Sequence, residues 1–383
     1  MKKNFFHISR IITGLIFIFS GLVKAIDPVG TQIKFSDYFE AMGLTFLMPY
    51  ALILAFLLNA AELTVGLMLL FNTFSKFASW LGLLLMLVFT PLTLWLAITN
   101  SVTDCGCFGD AVKLTNWETF RKNIILLIFI FIIFFGKKKF GTNFSTRKTK
   151  IAISGFLIFA LGFQFYNYCN LPVIDFRPFK EGTNIKEAVT IPPNAEKDVY
   201  ETVLYYKNLK TGEKKAFNIN NIPYEDTLNW AYDTTISKLI KKGYEPPIHD
   251  FFLSTLYGKD VTEDILNYKN LTCILIMPDF KEGIKKIKKY KKKLDDIAYY
   301  TDYNHYPFYC FTSSETSVVE QYKNSLPEYI RVLTGDKKML KTFIRSNPGF
   351  VLMKDAKILK KYHYSDIPDV NEIKKLNNPY YEK

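Results

Sequence analysis

Residues 77–99 read FASWLGLLLMLVFTPLTLWLAIT, a run without one charged side chain. The hydrocarbon core of a bilayer takes about 20 mostly apolar residues per helix, so this stretch predicts a membrane span. Working outward from it, four further stretches meet the same requirement, 8–26, 46–71, 117–135 and 151–168. The first of these has the look of a signal peptide. Its apolar run ends in Lys24, Asp27 and Pro28 with no small-residue cleavage site, which predicts a retained helix instead. Thr90 and Pro91 inside the third span predict a kink there.

The chain has 383 residues, 49% of them hydrophobic and 22% charged, and nearly all the long apolar runs fall before Cys169. That asymmetry excludes one uniform globular protein and excludes a disordered chain. It predicts a membrane bundle followed by a water-soluble part. The net charge of +13 is read by where it sits. Lys2, Lys3 and Arg10 precede or open the first span, Lys76 lies between the second and third, and Lys137, Lys138, Lys139, Arg147, Lys148 and Lys150 lie between the fourth and fifth. The alternate loops carry Asp27, Asp37, Glu40, Asp104, Asp110 and Glu118 with fewer bases. Basic residues in short loops stay cytoplasmic. The expected topology therefore has a cytoplasmic N-terminus in the inner (cytoplasmic) membrane, and everything after the fifth span is periplasmic or otherwise extracytoplasmic. Charge so placed is a topological signal, and nucleic-acid binding is not expected.

On that topology Cys105, Cys107 and Cys169 share the outer membrane face, where disulfides persist. The loop reads Asp104-Cys105-Gly106-Cys107-Phe108-Gly109-Asp110. Two thiols separated by one glycine close an unusually small disulfide ring, and strained bridges are the readily exchanged ones. Gly106 and Gly109 permit the backbone angles such a ring needs. Exchange runs through a thiolate, which nearby cations stabilise; Lys24, Lys113 and Arg121 are the candidates at this face. Asp104 and Asp110 oppose the thiolate or carry protons. The alternatives are inert cysteines at a chance spacing, or a metal site, which lacks a third strong ligand nearby. The histidines, His7, His249, His305 and His363, are remote in sequence and match no ligand spacing. Cys169, just past the fifth span, reads as a resolving thiol for the loop or as a lone interfacial cysteine.

The loop, followed by Leu114-Thr115-Asn116-Trp117 and Lys122-Asn123 entering a helix, resembles the MauE/DoxX family of small redox-associated membrane proteins. Arg10, Gly14, Phe17, Ser20, Gly21, Lys24 and Asp27-Pro28 in and after the first span, and Asn59, Glu62 and Gly66 in the second, are similar too. The resemblance covers about residues 5–135, a four-helix bundle in that family, and implies a part in thiol–disulfide chemistry outside the cytoplasm.

Intramembrane charges are costly and face the bundle interior or a functional cavity. Counting about 1.5 Å per residue from the outer helix ends puts Arg10 and Glu62 at similar depth, which predicts a buried Arg10–Glu62 pair. The functional alternative has Glu62 carrying protons toward a quinone or thiol site, with Asn59 one turn away able to bond into either arrangement. Phe108, Trp80, Trp95 and Trp117 read as interfacial aromatics. No cofactor is assigned; a quinone is the one candidate electron carrier.

After Cys169, the proline- and turn-rich segment 170–194 reads as a linker, and 200–206 with 214–219 as a hairpin. The pattern then changes to strand–helix alternation. Residues 271–277 and 308–312 are short continuous apolar runs, as expected of strands buried on both faces. Residues 281–300 have a helical period rich in lysine, 318–322 begin another helix, and 349–353 with 358–362 form a last hairpin. This order, over about 246–368, resembles a thioredoxin-like domain, with 248–251 as its leading segment. In Asn347-Pro348-Gly349 the resemblance implies a cis proline before the last hairpin. Where such domains carry Cys-x-x-Cys, this chain has Pro278-Asp279-Phe280-Lys281, and Cys273 and Cys310 fall inside strands, where thiols are inert.

The domains expected are thus 1–136, a MauE/DoxX-like four-helix transmembrane bundle; 137–169, a basic loop and fifth span; 170–244, linker and hairpin; 245–370, an α/β thioredoxin-like extracytoplasmic domain; and 371–383, a tail. The function expected is thiol–disulfide exchange by Cys105 and Cys107 with an extracytoplasmic thiol-containing partner protein, supported by Lys24, Arg10, Glu62, Asp104, Asp110 and Arg121. A non-enzymatic membrane scaffold whose outer domain binds a partner is the alternative. A small-molecule transporter has only the intramembrane charges behind it.

Overall fold

The structure, a computed structural model, describes residues 3–102, 104–140, 147–218, 221–223, 226–241, 243–249 and 251–378, with the side chains at 139, 140, 148, 218, 238 and 239 excepted. The middle of the basic loop between the fourth and fifth spans, Ile219 at the end of the expected hairpin and the last five residues of the expected tail lie outside the described residues.

Helices α1 (Lys3–Ile26), α3 (Ala51–Leu70), α4 (Ser75–Thr99), α5 (Asn116–Phe140) and α6 (Arg147–Cys169) are each long and apolar enough to cross a membrane, so this is a multi-pass membrane protein. Between α1 and α3 the chain makes an additional helix, α2 (Pro28–Ala41), begun by Asp27 as N-cap with Pro28 in its first turn. Helix α4 runs unbroken through Pro91; the expected kink there does not end it.

Small residues let α1 and α3 approach closely. A methyl group on Gly21 would sit 2.5 Å from the Leu63 backbone nitrogen, and one on Gly66 would sit 2.6 Å from that of Ile18. Gly21 opposite Leu63 and Gly14 opposite Gly66 fix the register of the antiparallel pair. That register contradicts the expected Arg10–Glu62 pair. Glu62 meets Lys24, with Nζ 2.6 Å from Oε1, while Arg10 donates to the carbonyls of Leu69 and Leu70 near the opposite end of α1. The depth count assumed that the helices end flush. Instead α3 starts well beyond the end of α1, and its added turns pack against α2.

The chain divides into two units, residues 1–183 with 252–383, and 184–251. In the first unit, 170–183 packs down and is no linker: Arg177 and Phe179 are buried, and the Phe179 ring stacks on Phe343 at 4.5 Å between centroids. The smaller unit contains α7 (Ile185–Val189) and an antiparallel sheet in which β1 (Val199–Asn208) pairs with β2 (Lys214–Asn218), the expected hairpin, and with an unexpected β3 (Trp230–Lys241).

The rest of the first unit is a six-stranded sheet: β4 (Leu253–Thr255), β5 (Leu271–Met277), β6 (Phe308–Thr312), β7 (Ile330–Gly335), β8 (Gly349–Lys354) and β9 (Lys357–His363), in the order β4-β7-β6-β5-β8-β9. Strands β5, β6 and β7 are parallel and β8 and β9 antiparallel. The helices are α8 (Thr262–Leu266), α9 (Phe280–Ile287), α10 (Lys291–Tyr303), α11 (Thr316–Tyr322), α12 (Lys337–Phe343) and α13 (Val370–Asn377). A central strand leading into a helix, a parallel neighbour and a closing antiparallel hairpin make this domain thioredoxin-like. The Asn347–Pro348 bond is cis. The lead-in strand is β4, after the expected 248–251.

Gly21→Ala should lower stability by about 1–3 kcal/mol, as overpacking against a backbone that cannot retreat does. Gly155→Ala in α6, where a methyl group meets nothing within 4 Å, should leave stability unchanged or raise it by up to about 1 kcal/mol. Thermal unfolding of the two variants in detergent checks the contrast; equal losses would contradict the α1–α3 contact.

Candidate functional site: a thiol pair over a buried ion pair

Gly106 and Gly109 both take left-handed backbone angles, φ 58° and 52°, and the turn they make brings Cys105 Sγ to 3.1 Å from Cys107 Sγ. Closing that gap to a bond of about 2.05 Å is a motion of about one ångström. Cys105 Sγ also lies 3.2 Å from Thr119 Oγ1 in the first turn of α5, and the Tyr38 hydroxyl of α2 donates to the Cys105 carbonyl. Asn116 fixes the start of the loop by donating to the Val102 carbonyl at 2.8 Å and to Asn100 Oδ1 at 3.1 Å. Cys105 is buried; Cys107 is partly exposed.

Beneath the pair lies a cavity of about 60 Å3 reached by five helices; Ser20, Lys24, Glu62, Phe89, Tyr38 and Lys122 line it together with both cysteines. Its polar wall is the Lys24–Glu62 pair, with side chains 7% and 2% exposed. Glu62 accepts from Lys24 at 2.6 and 2.8 Å and from Ser20 Oγ at 2.8 Å. Ser20 Oγ is equally 2.8 Å from the Cys107 carbonyl, so this hydroxyl bridges the ion pair and the cysteine loop. Asn59 donates to the carbonyl of Lys24 at 3.1 Å and braces the same corner.

The two sulfurs differ electrically. The hydrogen bond from the Cys107 thiol pulls the Cys105 pKa down; burial works against this, and the Thr119 hydroxyl and the Lys122 charge add to the lowering, which brings it to about 6. Cys107 is pushed the other way by holding that bond and by burial, with Lys122 and Lys24 opposing. The two thiols therefore titrate as a pair, with one thiolate favoured on Cys105.

Several expected roles move. Of the three candidate cations, Lys24 lines the cavity, while Lys113 and Arg121 are exposed. Lys122 supplies the second cation, its Nζ 4.3 Å from the centre of the Phe108 ring, and Phe108 packs edge-on against Phe19 at 5.3 Å. Phe108 is therefore part of the site. Residues 119, 122, 123 and 126 share the inward face of α5 at helical spacing, which points Arg121 away. Asp104 is neutralised by Lys34 at 2.9 Å and accepts from the Gly106 amide at 3.0 Å. Asp110 sits apart, in a small cavity with Asp27 and Arg177, its pKa raised by burial against the lowering effect of Arg345. Arg10 is not at the site. Cys169 is exposed and lines a separate cavity with Asp279, Arg345 and Asn347. Tyr38, Thr119 and Lys34 do not stand out in the sequence because their relation to the loop is tertiary.

A cavity of about 60 Å3 has room for a few waters. Among the described residues, no three His, Cys, Asp or Glu side chains gather as a metal set. In the thioredoxin-like domain, Cys273 and Cys310 are fully buried, and burial pushes both thiols far up.

With the pair reduced, alkylation of Cys105 by iodoacetamide should be well under way at neutral pH, its rate rising with pH through about 6. A rate that climbs only near the ordinary thiol value of about 8.5 would contradict the thiolate favoured on Cys105. Peptide mass spectrometry across a pH series reads it.

Residues 200–242, in the smaller unit, match a domain of unknown function, DUF8463. No curated protein is detectably similar to this chain. Among solved structures, the crystal structure of yeast Sco1 is similar at 15% identity and a TM-score of 0.27, over 34% of this chain and 97% of that one; the fold assignment rests on the strand order instead. Residues 2–135, which hold the cysteine loop and its cavity, match the family of methylamine utilisation protein MauE, and over that bundle the chain is similar to this family.

Proposed function

We propose that this membrane protein carries out thiol–disulfide exchange through Cys105 and Cys107, with the thioredoxin-like domain positioning a thiol-containing partner protein. The observation that carries the reading is the approach of the two sulfurs to 3.1 Å in a loop whose environment splits their proton affinities. The basic residues at 2, 3, 10, 76, 137 and 138 favour a cytoplasmic N-terminus in the inner membrane, with the loop and the thioredoxin-like domain facing the periplasm or its equivalent.

The asymmetry of the pair assigns the steps. A partner thiolate attacks the oxidised loop at Cys107, the less buried residue of the two; the Cys105–Cys107 bond breaks, and Cys105 leaves as the stabilised thiolate, since a low-pKa thiol is the better leaving group. A second partner thiol then attacks the partner's own sulfur in the mixed disulfide and releases Cys107. Two electrons enter the loop and the partner dithiol becomes a disulfide; of the two protons the dithiol loses, one passes to solvent when the attacking thiolate forms and the other ends on Cys107, leaving Cys105 as the thiolate. The same steps run in reverse when the partner is the stronger oxidant. Lys122 favours the negative charge on Cys105, and Lys24, held by Glu62, acts on Cys107.

The scaffold reading has one observation in its favour: the position where thioredoxin-like domains carry their cysteines is Pro278-Asp279-Phe280-Lys281, so that domain has no dithiol of its own there. Cys105→Ser should accumulate mixed disulfides through Cys107, and Cys107→Ser should accumulate fewer because Cys105 is buried. Non-reducing gels and mass spectrometry of membranes read this. Full function retained in the double serine variant would favour the scaffold.

A further inference from the structure

Helix α2 lies between the thioredoxin-like domain and the cysteine loop and is held by both. Toward the loop, Lys34 Nζ pairs with Asp104 at 2.9 Å. Its aliphatic stem covers Gly106, where a methyl group would meet Lys34 Cγ at 2.8 Å. One turn on, Tyr38 donates to the Cys105 carbonyl and packs with Phe35 against Val102, Leu96 and Cys105. Toward the thioredoxin-like domain, the Asp27 carboxylate that caps α2 by accepting from the Gly30 amide at 2.9 Å is also gripped by Arg345, with Nε at 2.9 Å from Oδ1 and Nη2 at 2.8 Å from Oδ2. A paired guanidinium–carboxylate contact of this kind fixes direction as well as distance. The Arg345 side chain is 4% exposed, so the contact is sheltered from solvent, unlike the surface pair of Lys338 with Asp37 at 2.9 Å. Together the two pairs hold α2 near both of its ends to α12 and the segment after it.

Arg345 stands two residues before the cis-bonded Asn347–Pro348. That segment opens on a cavity of about 420 Å3 whose lining includes Arg345, Ser346 and Asn347 from the domain and Val29 and Gln32 from α2. Anything seated there touches the domain and α2 at once.

We infer that α2 links the thioredoxin-like domain to the thiol pair, with Arg345 and Asp27 as positioning residues that set the redox midpoint and accessibility of Cys105 and Cys107. The inference rests on the exchange reading above. Neither residue touches a sulfur. Arg345 orients the start of α2, and α2, through Lys34 and Tyr38, holds the backbone of the loop in the turn that brings the sulfurs together. Release of Arg345 lets α2 lift, frees the Cys105 carbonyl and Asp104, and uncovers Cys107.

The test is a redox titration of the full-length protein in lipid nanodiscs. Samples equilibrated in glutathione buffers are quenched in acid, and the Cys105–Cys107 peptide is scored by mass spectrometry. Rates of Cys107 alkylation are measured alongside. Arg345→Gln should shift the dithiol–disulfide equilibrium and speed alkylation by about tenfold, within the usual range of coupling between sites; Arg345→Lys should restore part of it. Asp27→Asn keeps a side chain able to cap α2 and should show the same shift even if Arg345→Gln folds poorly. Wild-type equilibrium and rates in both Arg345→Gln and Asp27→Asn, with a loop that still cycles, would overturn the link. A wild-type loop that forms no disulfide at any poise would instead overturn the exchange reading on which it stands.

Discussion

A lysine and a glutamate buried together between two helices constrain everything around them. Removing two charges from water costs several kcal/mol per ion, repaid only by close geometry and further hydrogen bonds. Lys24 and Glu62 meet that condition with two contacts to one another, and Glu62 with a third from Ser20. The pair is stable only at the register that Gly21 and Gly66 permit, so helix packing and charge burial specify one arrangement. Because Ser20 also reaches the Cys107 carbonyl, the same arrangement decides where the cysteine loop sits. Intramembrane charge here is the floor of a site.

On that floor the loop is shaped from three directions. Glycines at 106 and 109 supply backbone angles that other residues adopt at a cost. Helix α5 supplies Thr119 and Lys122, and α2 supplies Lys34 and Tyr38. Each reaches a different atom of the loop, so the separation of the sulfurs is over-determined. A chemical asymmetry follows: Cys105, which also bonds Thr119, has its thiol pKa lowered, while that of Cys107 is raised. The thioredoxin-like domain has Pro278-Asp279-Phe280-Lys281 where such domains carry cysteines, so the close thiol pair of this chain lies in the bundle.

The spans were legible because a run such as 77–99 has no other use. Strands 271–277 and 308–312 were legible to the residue because burial on both faces writes a continuous apolar run. Other features were not. Strand β7, IRVLTG, carries an arginine and two residues of mixed character, so its apolar run is too short to stand out. The segment 170–183 reads as a linker because it is rich in proline and turn residues; the burial of Arg177 depends on Asp175, which is itself held by Lys361 at 2.6 Å and far off in sequence. At the site, the cysteines and Lys24 could be read locally. The partner of Glu62 could not, since it depends on how far α3 overshoots α1, and Lys122 was separable from Arg121 only once the inward face of α5 was known.

The most direct measurement is the oxidation state of the loop in living cells. Acid-quenched thiol trapping followed by peptide mass spectrometry would report Cys105, Cys107 and Cys169 separately. The account predicts a mixture of reduced and bridged Cys105–Cys107 that shifts with growth conditions, while Cys169 varies independently. Thiols that remain reduced under every condition, or one invariant bridge that resists reductant, would contradict it.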